Sequence, residues 1–206
     1  GPNTRGSYML YFDGSDVGLD KSDEDVDAID FDATGNLVIS VVGAFKTQNV
    51  SGNDEDLFVL HGFTPGANTT GTWGFYFDGS DVGLTSSNED IFGLWADHAN
   101  SQLYLSTHGN FSVTGAKGDE DDIFICRYGS LGATTTCTFS LFWNGDSVGF
   151  DEDAIDGLAI GAPPLVTSAA DSSGSVAIDD TLETAGDGAN EANPLHVQPA
   201  SHFRQH

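Results

Sequence analysis

The chain has 206 residues, and its 32 Asp and Glu against six Lys and Arg give a net charge of −26. That balance excludes a nucleic-acid binder, which needs basic patches, and a protein drawn to an anionic membrane surface. Disorder is excluded too, because 38% of the residues are hydrophobic and 14 are Phe, enough to bury one core or two small ones. Self-repulsion on this scale must be offset, by bound cations or by high external salt around a solvated acidic surface. Of the 32 acids 25 are Asp, the short carboxylate that reaches a hard cation from a turn, so Ca²⁺ is the expected cofactor.

In chain order, residues 1–8 form a polar lead. No apolar run approaches the ~18–20 residues that span a bilayer. No signal peptide is recognisable, and the opening Gly1-Pro2-Asn3-Thr4 reads as a processed start. From Met9 a unit begins that is written three times. Tyr11-Phe12-Asp13-Gly14-Ser15-Asp16-Val17-Gly18-Leu19 returns as Tyr76 to Leu84, and again, altered, as Phe142-Trp143-Asn144-Gly145-Asp146-Ser147-Val148-Gly149-Phe150. Phe12 and Phe77 are 65 apart, and Phe45 and Phe111, like Asp56 and Asp122, are 66 apart. Agreement over a whole unit with one inserted residue is the mark of duplication. The expected units are residues 9–73, 74–139 and a partial one at 140–164.

Each full unit holds four strand-like segments. In the first unit they are the Phe-Asp-Gly-Ser-Asp-Val-Gly-Leu stretch with its preceding apolar residues, Val26 to Phe31, Asn36 to Val41, and Asp56 to Leu60. Asp32-Ala33-Thr34-Gly35-Asn36 reads as a hairpin turn, since Gly and Asn accept positive φ. No 3.6-residue period is sustained, so little helix is expected. The fold class is therefore all-β, built of tandem four-stranded antiparallel repeats of propeller-blade type, with a β-sandwich as the alternative. Closed propellers need about four to eight blades, more than this chain supplies. After Pro163-Pro164 the composition shifts, and residues 165–206 read as an extended tail. Its strand-like spots, Val176-Ala177-Ile178 and Leu195-His196-Val197, suit donation to an open sheet edge.

The acidic clusters carry the candidate chemistry. Asp13, Asp16, Asp25 and Asp27 form one expected ligand set in the first unit, and Asp78, Asp81 and Asp90 repeat most of that set in the second. Asp54 and Asp56, Asp119 and Asp122, and Asp153 complete the candidate metal residues. Carboxylates this dense repel one another unless a cation sits among them. Asp23-x-Asp25-x-Asp27 is not an EF-hand loop, because Ala28 and Thr34 stand where that loop needs Gly and Glu. Gly145-Asp146-Ser147-Val148-Gly149 has the spacing of a nucleophile elbow, but the repeat explains it and no helix pattern follows. The His residues lack zinc spacing. No catalytic residues are assigned.

Cys126 and Cys137 stand where the first unit has Leu60 and Gly71, so the pair belongs to one unit only. Two cysteines gained together across a Gly-containing loop are expected to form a disulfide, which points to an oxidising compartment. Asn49, Asn68 and Asn110 head glycosylation sequons.

The repeats resemble the acidic Phe-Asp-Gly-Ser-Asp-Val-Gly-Leu repeats of secreted bacterial and archaeal surface proteins, over residues 9–164. The resemblance implies a blade-like fold and no catalytic residues. The expectation is an extracellular or cell-surface structural protein. It would self-assemble into a filament, sheath or matrix through its repeat ends and tail, as a homo-polymer with Ca²⁺ at the repeat turns. The alternative is an extracellular carbohydrate- or ligand-binding module.

Overall fold

The computed structural model describes residues 5–150 and 153–161. The expected tail at 165–206 and the first half of the lead, residues 1–4, lie outside the described residues. Among the described residues twelve strands occur in chain order: β1 (Val26–Phe31), β2 (Leu37–Val41), β3 (Phe45–Lys46), β4 (Ser51–Gly52), β5 (Leu57–Thr64), β6 (Thr70–Phe77), β7 (Ile91–Asp97), β8 (Gln102–Thr107), β9 (Phe111–Val113), β10 (Ala116–Gly118), β11 (Ile123–Ser130) and β12 (Thr136–Trp143). They build two four-stranded antiparallel sheets, β1-β2-β5-β6 and β7-β8-β11-β12, each with a two-stranded hairpin inserted between its second and third strands. The chain is all-β, and the helical content of the described residues is four 3₁₀ turns.

Alternation within the strands gives each sheet two apolar faces. Val38, Val59 and Tyr76 of the first sheet share one core with Leu94, Leu103, Leu105 and Cys126 of the second. On the other face of the first sheet, Leu37, Ile39, Phe58, Leu60 and Trp73 are covered by Phe12, Val17 and Leu19. The expected turn after β1 is present. The Gly35 N–H donates to Asp32 O at 3.0 Å, and Gly35 has a φ of +86°, where a side chain would be strained.

The sheets are phased differently from the sequence units. The Phe-Asp-Gly-Ser-Asp-Val-Gly-Leu stretch is not a first strand. Its Phe77 ends β6, and its remainder is a 3₁₀ turn at Ser80–Val82, matched by turns at Gly14–Val17 and Asp146–Val148. The stretch thus closes one sheet and delivers the chain to the next. Gly18 and Gly83 end the first two turns in the left-handed region, with φ of +89° and +97°.

One junction occurs twice. The Ile91 N–H donates to Asp54 O at 3.1 Å, setting β7 against the first sheet, where the Ala96 N–H also reaches the Asp30 carboxylate. The Ile155 N–H donates to Glu120 O at 3.0 Å, so residues 153–158 sit on the second sheet as β7 sits on the first. Ser106 Oγ then donates to Ile155 O at 2.6 Å.

The disulfide forms between Cys126 on β11 and Cys137 on β12, with Cα atoms 5.2 Å apart. Between β5 and β6 the same space is filled by the Leu60 side chain lying against Gly71, so the cross-link replaces an apolar contact. No helix among the described residues is long and apolar enough to cross a membrane.

Candidate metal centre

The aspartates of the repeated stretch are held by the protein itself. Asp13 Oδ1 accepts from the Ser15 N–H and hydroxyl, and Asp78 Oδ1 from the Ser80 hydroxyl and the Asp81 N–H. Asp16 Oδ2 accepts from the Thr69 N–H at 2.9 Å, while Thr69 Oγ1 accepts from the Asp13 N–H at 2.8 Å. Thr135 repeats both bonds with Asp81 and Asp78, at 2.9 and 2.8 Å. These buried threonines sit in the loops Gly66-Ala67-Asn68-Thr69 and Gly132-Ala133-Thr134-Thr135. Their 66-residue spacing was the available signal for a role that the acidic residues obscured.

Glu24 and Glu89 serve as internal caps. Glu24 accepts from the N–H groups of Asp20 and Lys21 and from Lys21 Nζ at 2.7 Å. Burial pushes its carboxyl up, but these bonds bring it net below the usual range. Glu89 accepts from the Thr85, Ser86 and Ser112 N–H groups, the last tying in β9.

Asp56 and Asp122 each clamp the start of a sheet's third strand to the turn that follows its fourth. Asp56 accepts from the Asn53 and Gly79 N–H groups, both at 2.9 Å. Asp122 accepts from Asp119 and from Gly145, the latter at 3.1 Å. The clamp requires glycine, since a Cβ on Gly145 would meet Asp121 O at 2.6 Å. Burial raises both clamp carboxyls despite these bonds.

Two groups of carboxylates contain buried oxygens left without protein donors. At the first junction Asp27, Asp54 and Asp90 meet, together with Glu55. Asp90 is buried with Oδ1 unpartnered, and Asp27 Oδ2 is likewise buried and unpartnered. Burial, then the charges of Asp27, Asp54 and Glu55, push Asp90 up to about 8. Burial, then Asp25 and Asp54, push Asp27 up to about 6.

The tighter group is Asp119, Asp121 and Asp122, just before β11. One oxygen from each lies within 4.8 Å of the others, a spacing that a single hard cation can bridge. Asp121 is only 2% exposed, and neither of its oxygens has a donor; Asp119 Oδ1 is also buried and unpartnered. Burial, followed by the neighbouring Asp119, Asp122 and Asp146, holds the Asp121 carboxyl well above its ordinary range. Buried carboxylates without donors are unstable unless a proton or a cation is shared among them.

Of the residues expected from sequence, Asp119 and Asp122 belong to this group, and Asp27, Asp54 and Asp90 to the first junction. Asp13, Asp16, Asp78 and Asp81 lie at the turns, Asp56 in the clamp, and Asp25 and Asp153 are exposed. Asp121 was not singled out because it aligns with a glutamate, Glu55. Ser147 lies in a 3₁₀ turn, where its Oγ donates to Asn144 O. The sequon residues Asn49, Asn68 and Asn110 are all exposed. The disulfide and the lack of a membrane-spanning helix among the described residues are compatible with a secreted or surface protein. Compared with protein-family models, with curated proteins and with solved structures, the chain matches none.

Proposed function

We propose that the chain is an extracellular structural protein, a subunit that self-assembles into a filament, sheath or matrix, with calcium held by Asp119, Asp121 and Asp122. The observation that carries this reading is the repeated junction. The Ile91 N–H on Asp54 O and the Ile155 N–H on Glu120 O attach the chain that follows each four-stranded sheet to that sheet by the same bond. A junction that repeats is built to propagate. Three carboxylates with no nitrogen or sulfur ligand favour a hard cation, and calcium accepts the irregular oxygen set of a loop.

Electron microscopy and thermal melting of the purified protein, with calcium and with chelator, test the reading. Ordered assemblies and a higher melting temperature in calcium are expected. Monodisperse monomers with the same melting temperature in both conditions would overturn it.

A second reading, a carbohydrate-binding module, has one observation in its favour. Trp95, Tyr104 and Phe142 form an aromatic row with ring centroids 5.1 and 4.9 Å apart on one face of the second sheet. The equivalent face of the first sheet, bearing Val38 and Tyr76, is buried by the next unit, which favours packing over sugar binding. Oligosaccharide titration followed by calorimetry, with Trp95→Ala as control, decides between them.

A further inference from the structure

In the third copy of the repeated stretch two neighbours change places. Gly79-Ser80-Asp81-Val82 of the second copy becomes Gly145-Asp146-Ser147-Val148, and Asn144 stands where Asp78 stood. In the second copy both aspartates are occupied by the protein. Asp78 accepts from the Ser80 hydroxyl, and Asp81 accepts from the Thr135 N–H at 2.9 Å. The third turn closes without a carboxylate. Asn144 Oδ1 accepts from the Ser147 N–H at 2.9 Å, and Ser147 Oγ donates to Asn144 O at 2.7 Å. The Asp146 carboxylate is exposed, takes no part in these bonds and accepts none from the described residues.

The exchange brings that carboxylate to the tight group before β11. The Gly145 N–H donates to Asp122 Oδ1 at 3.1 Å. The Gly145 backbone also lies against Asp121, since a Cβ there would stand 2.7 Å from Asp121 Cγ and 2.8 Å from Oδ2. Asp146 is the next residue, and its charge is among those that raise the carboxyls of Asp121 and Asp122. In the equivalent place of the preceding unit the clamp glycine Gly79 is followed by Ser80, and the loop it meets carries Asn53 and Glu55 in place of Asp119 and Asp121. Within one chain, a hydroxyl follows the clamp glycine where the loop has its own amide, and a carboxylate follows it where the loop lacks one. A fourth carboxylate beside Asp121, which is 2% exposed with neither oxygen partnered, adds only repulsion unless an ion is shared.

We propose that Asp146 is the fourth carboxylate of the calcium site, closing on its solvent side the ion held by Asp119, Asp121 and Asp122. Calcium takes about six to eight oxygens, more than three carboxylates supply one by one. The three inner oxygens form the tight group, and Asp146, the most exposed of the four residues, supplies the outer one. An ion so held ties the loop that enters β11 to the turn that leaves β12, and so fixes the open end of that hairpin. The exchange of Ser and Asp in the third copy is then a gain of a ligand. The inference rests on the calcium reading of Asp119, Asp121 and Asp122 above and adds a residue to it.

The test is calorimetric titration of the full chain with calcium, in dilute buffer and again at about 0.5 M salt, where long-range attraction is screened. Asp146→Ser places at this exposed position the residue that the second copy carries there. It is expected to weaken calcium binding roughly tenfold or more at both ionic strengths, with an unchanged circular dichroism spectrum. In chelator it should melt no lower than the wild type, because a like charge has left the cluster. Asp146→Ser combined with Ser147→Asp keeps the net charge and moves the carboxylate by one residue, and its affinity should stay as low as that of the single variant. Calcium affinity that is unchanged in Asp146→Ser, lowered only in dilute buffer, or restored in the double variant would overturn the role of Asp146 and leave the ion on the other three. A wild type that binds no calcium would overturn both.

Discussion

The loops 53–56 and 119–122 occupy the same place in their units, 66 residues apart, and they solve the same electrostatic problem differently. Both end on a clamp aspartate that reaches the glycine of the next stretch. In the first loop the leading residue is Asn53, whose amide donates to Glu55 Oε1 at 3.4 Å. In the second it is Asp119, which has no amide to donate, and Asp121 beneath it is left without donors. An amide in the first loop thus stands where the second needs a cation. The loops differ at three of four positions, Asn53 against Asp119, Asp54 against Glu120 and Glu55 against Asp121, and the first of these gives one loop an amide donor that the other lacks.

The comparison can be broken most forcefully at what the loops share. Asp56→Ala and Asp122→Ala each remove two hydrogen bonds to a buried carboxylate and are expected to cost roughly 3–5 kcal/mol, equally within error, in urea unfolding. Unequal losses would mean that the clamps are not equivalent. The difference between the loops shows next in calcium. At a concentration a hundred times Kd the ion is expected to stabilise the wild type by about 2.7 kcal/mol. Asp119→Asn should abolish that gain, and Asn53→Asp combined with Glu55→Asp should add a second calcium-dependent increment while destabilising the protein in chelator. A calcium response untouched by Asp119→Asn excludes this site.

The disulfide sharpens the comparison from another side, since only the second unit has one. Its reduction is expected to cost about 2–3 kcal/mol for so short a loop. Hydrogen exchange should rise in β11 and β12 and leave β5 and β6 as they were. Asp90 provides a pH test of the first junction. Its folded carboxyl is raised to about 8, so the folded state holds this proton longer than the unfolded chain does. Stability is therefore greatest below the unfolded value near 4 and falls as pH climbs toward 8. The slope is at most about 1.4 kcal/mol per pH unit for one proton. Melting in chelator between pH 4.5 and 8.5 should show the decline, and Asp90→Asn should flatten it. The smallest effect is expected of Thr69→Val and Thr135→Val, about 1 kcal/mol each for a lost hydroxyl bond, again equal in the two units.

Much of the architecture was legible in the residues. The 65–66 spacing announced two equivalent units, short strand-like segments recurring at that spacing located β1, β2 and β5 and their repeats, and two cysteines replacing Leu60 and Gly71 announced the cross-link. The phase of the sheets was not legible. Phe77 is continuous with the turn that follows it, and nothing local says that it belongs to the sheet behind rather than the one ahead. The short hairpins β3–β4 and β9–β10 were missed because two- and three-residue strands carry no periodicity.

By itself the sequence determined the repeat, the strand content and the excess of carboxylates, because these follow from residue identity and local spacing. It could not tell one aspartate from another. Asp13, Asp16, Asp56, Asp119 and Asp121 look alike along the chain, yet the first three have N–H donors to accept from and Asp121 has none. Which carboxylate is satisfied depends on the backbone that arrives beside it from tens of residues away. Thr69 comes to Asp16, Gly79 to Asp56, and no donor comes to Asp121. Only the tertiary structure decides that, because desolvation and hydrogen bonding are properties of the packed neighbourhood and not of the residue.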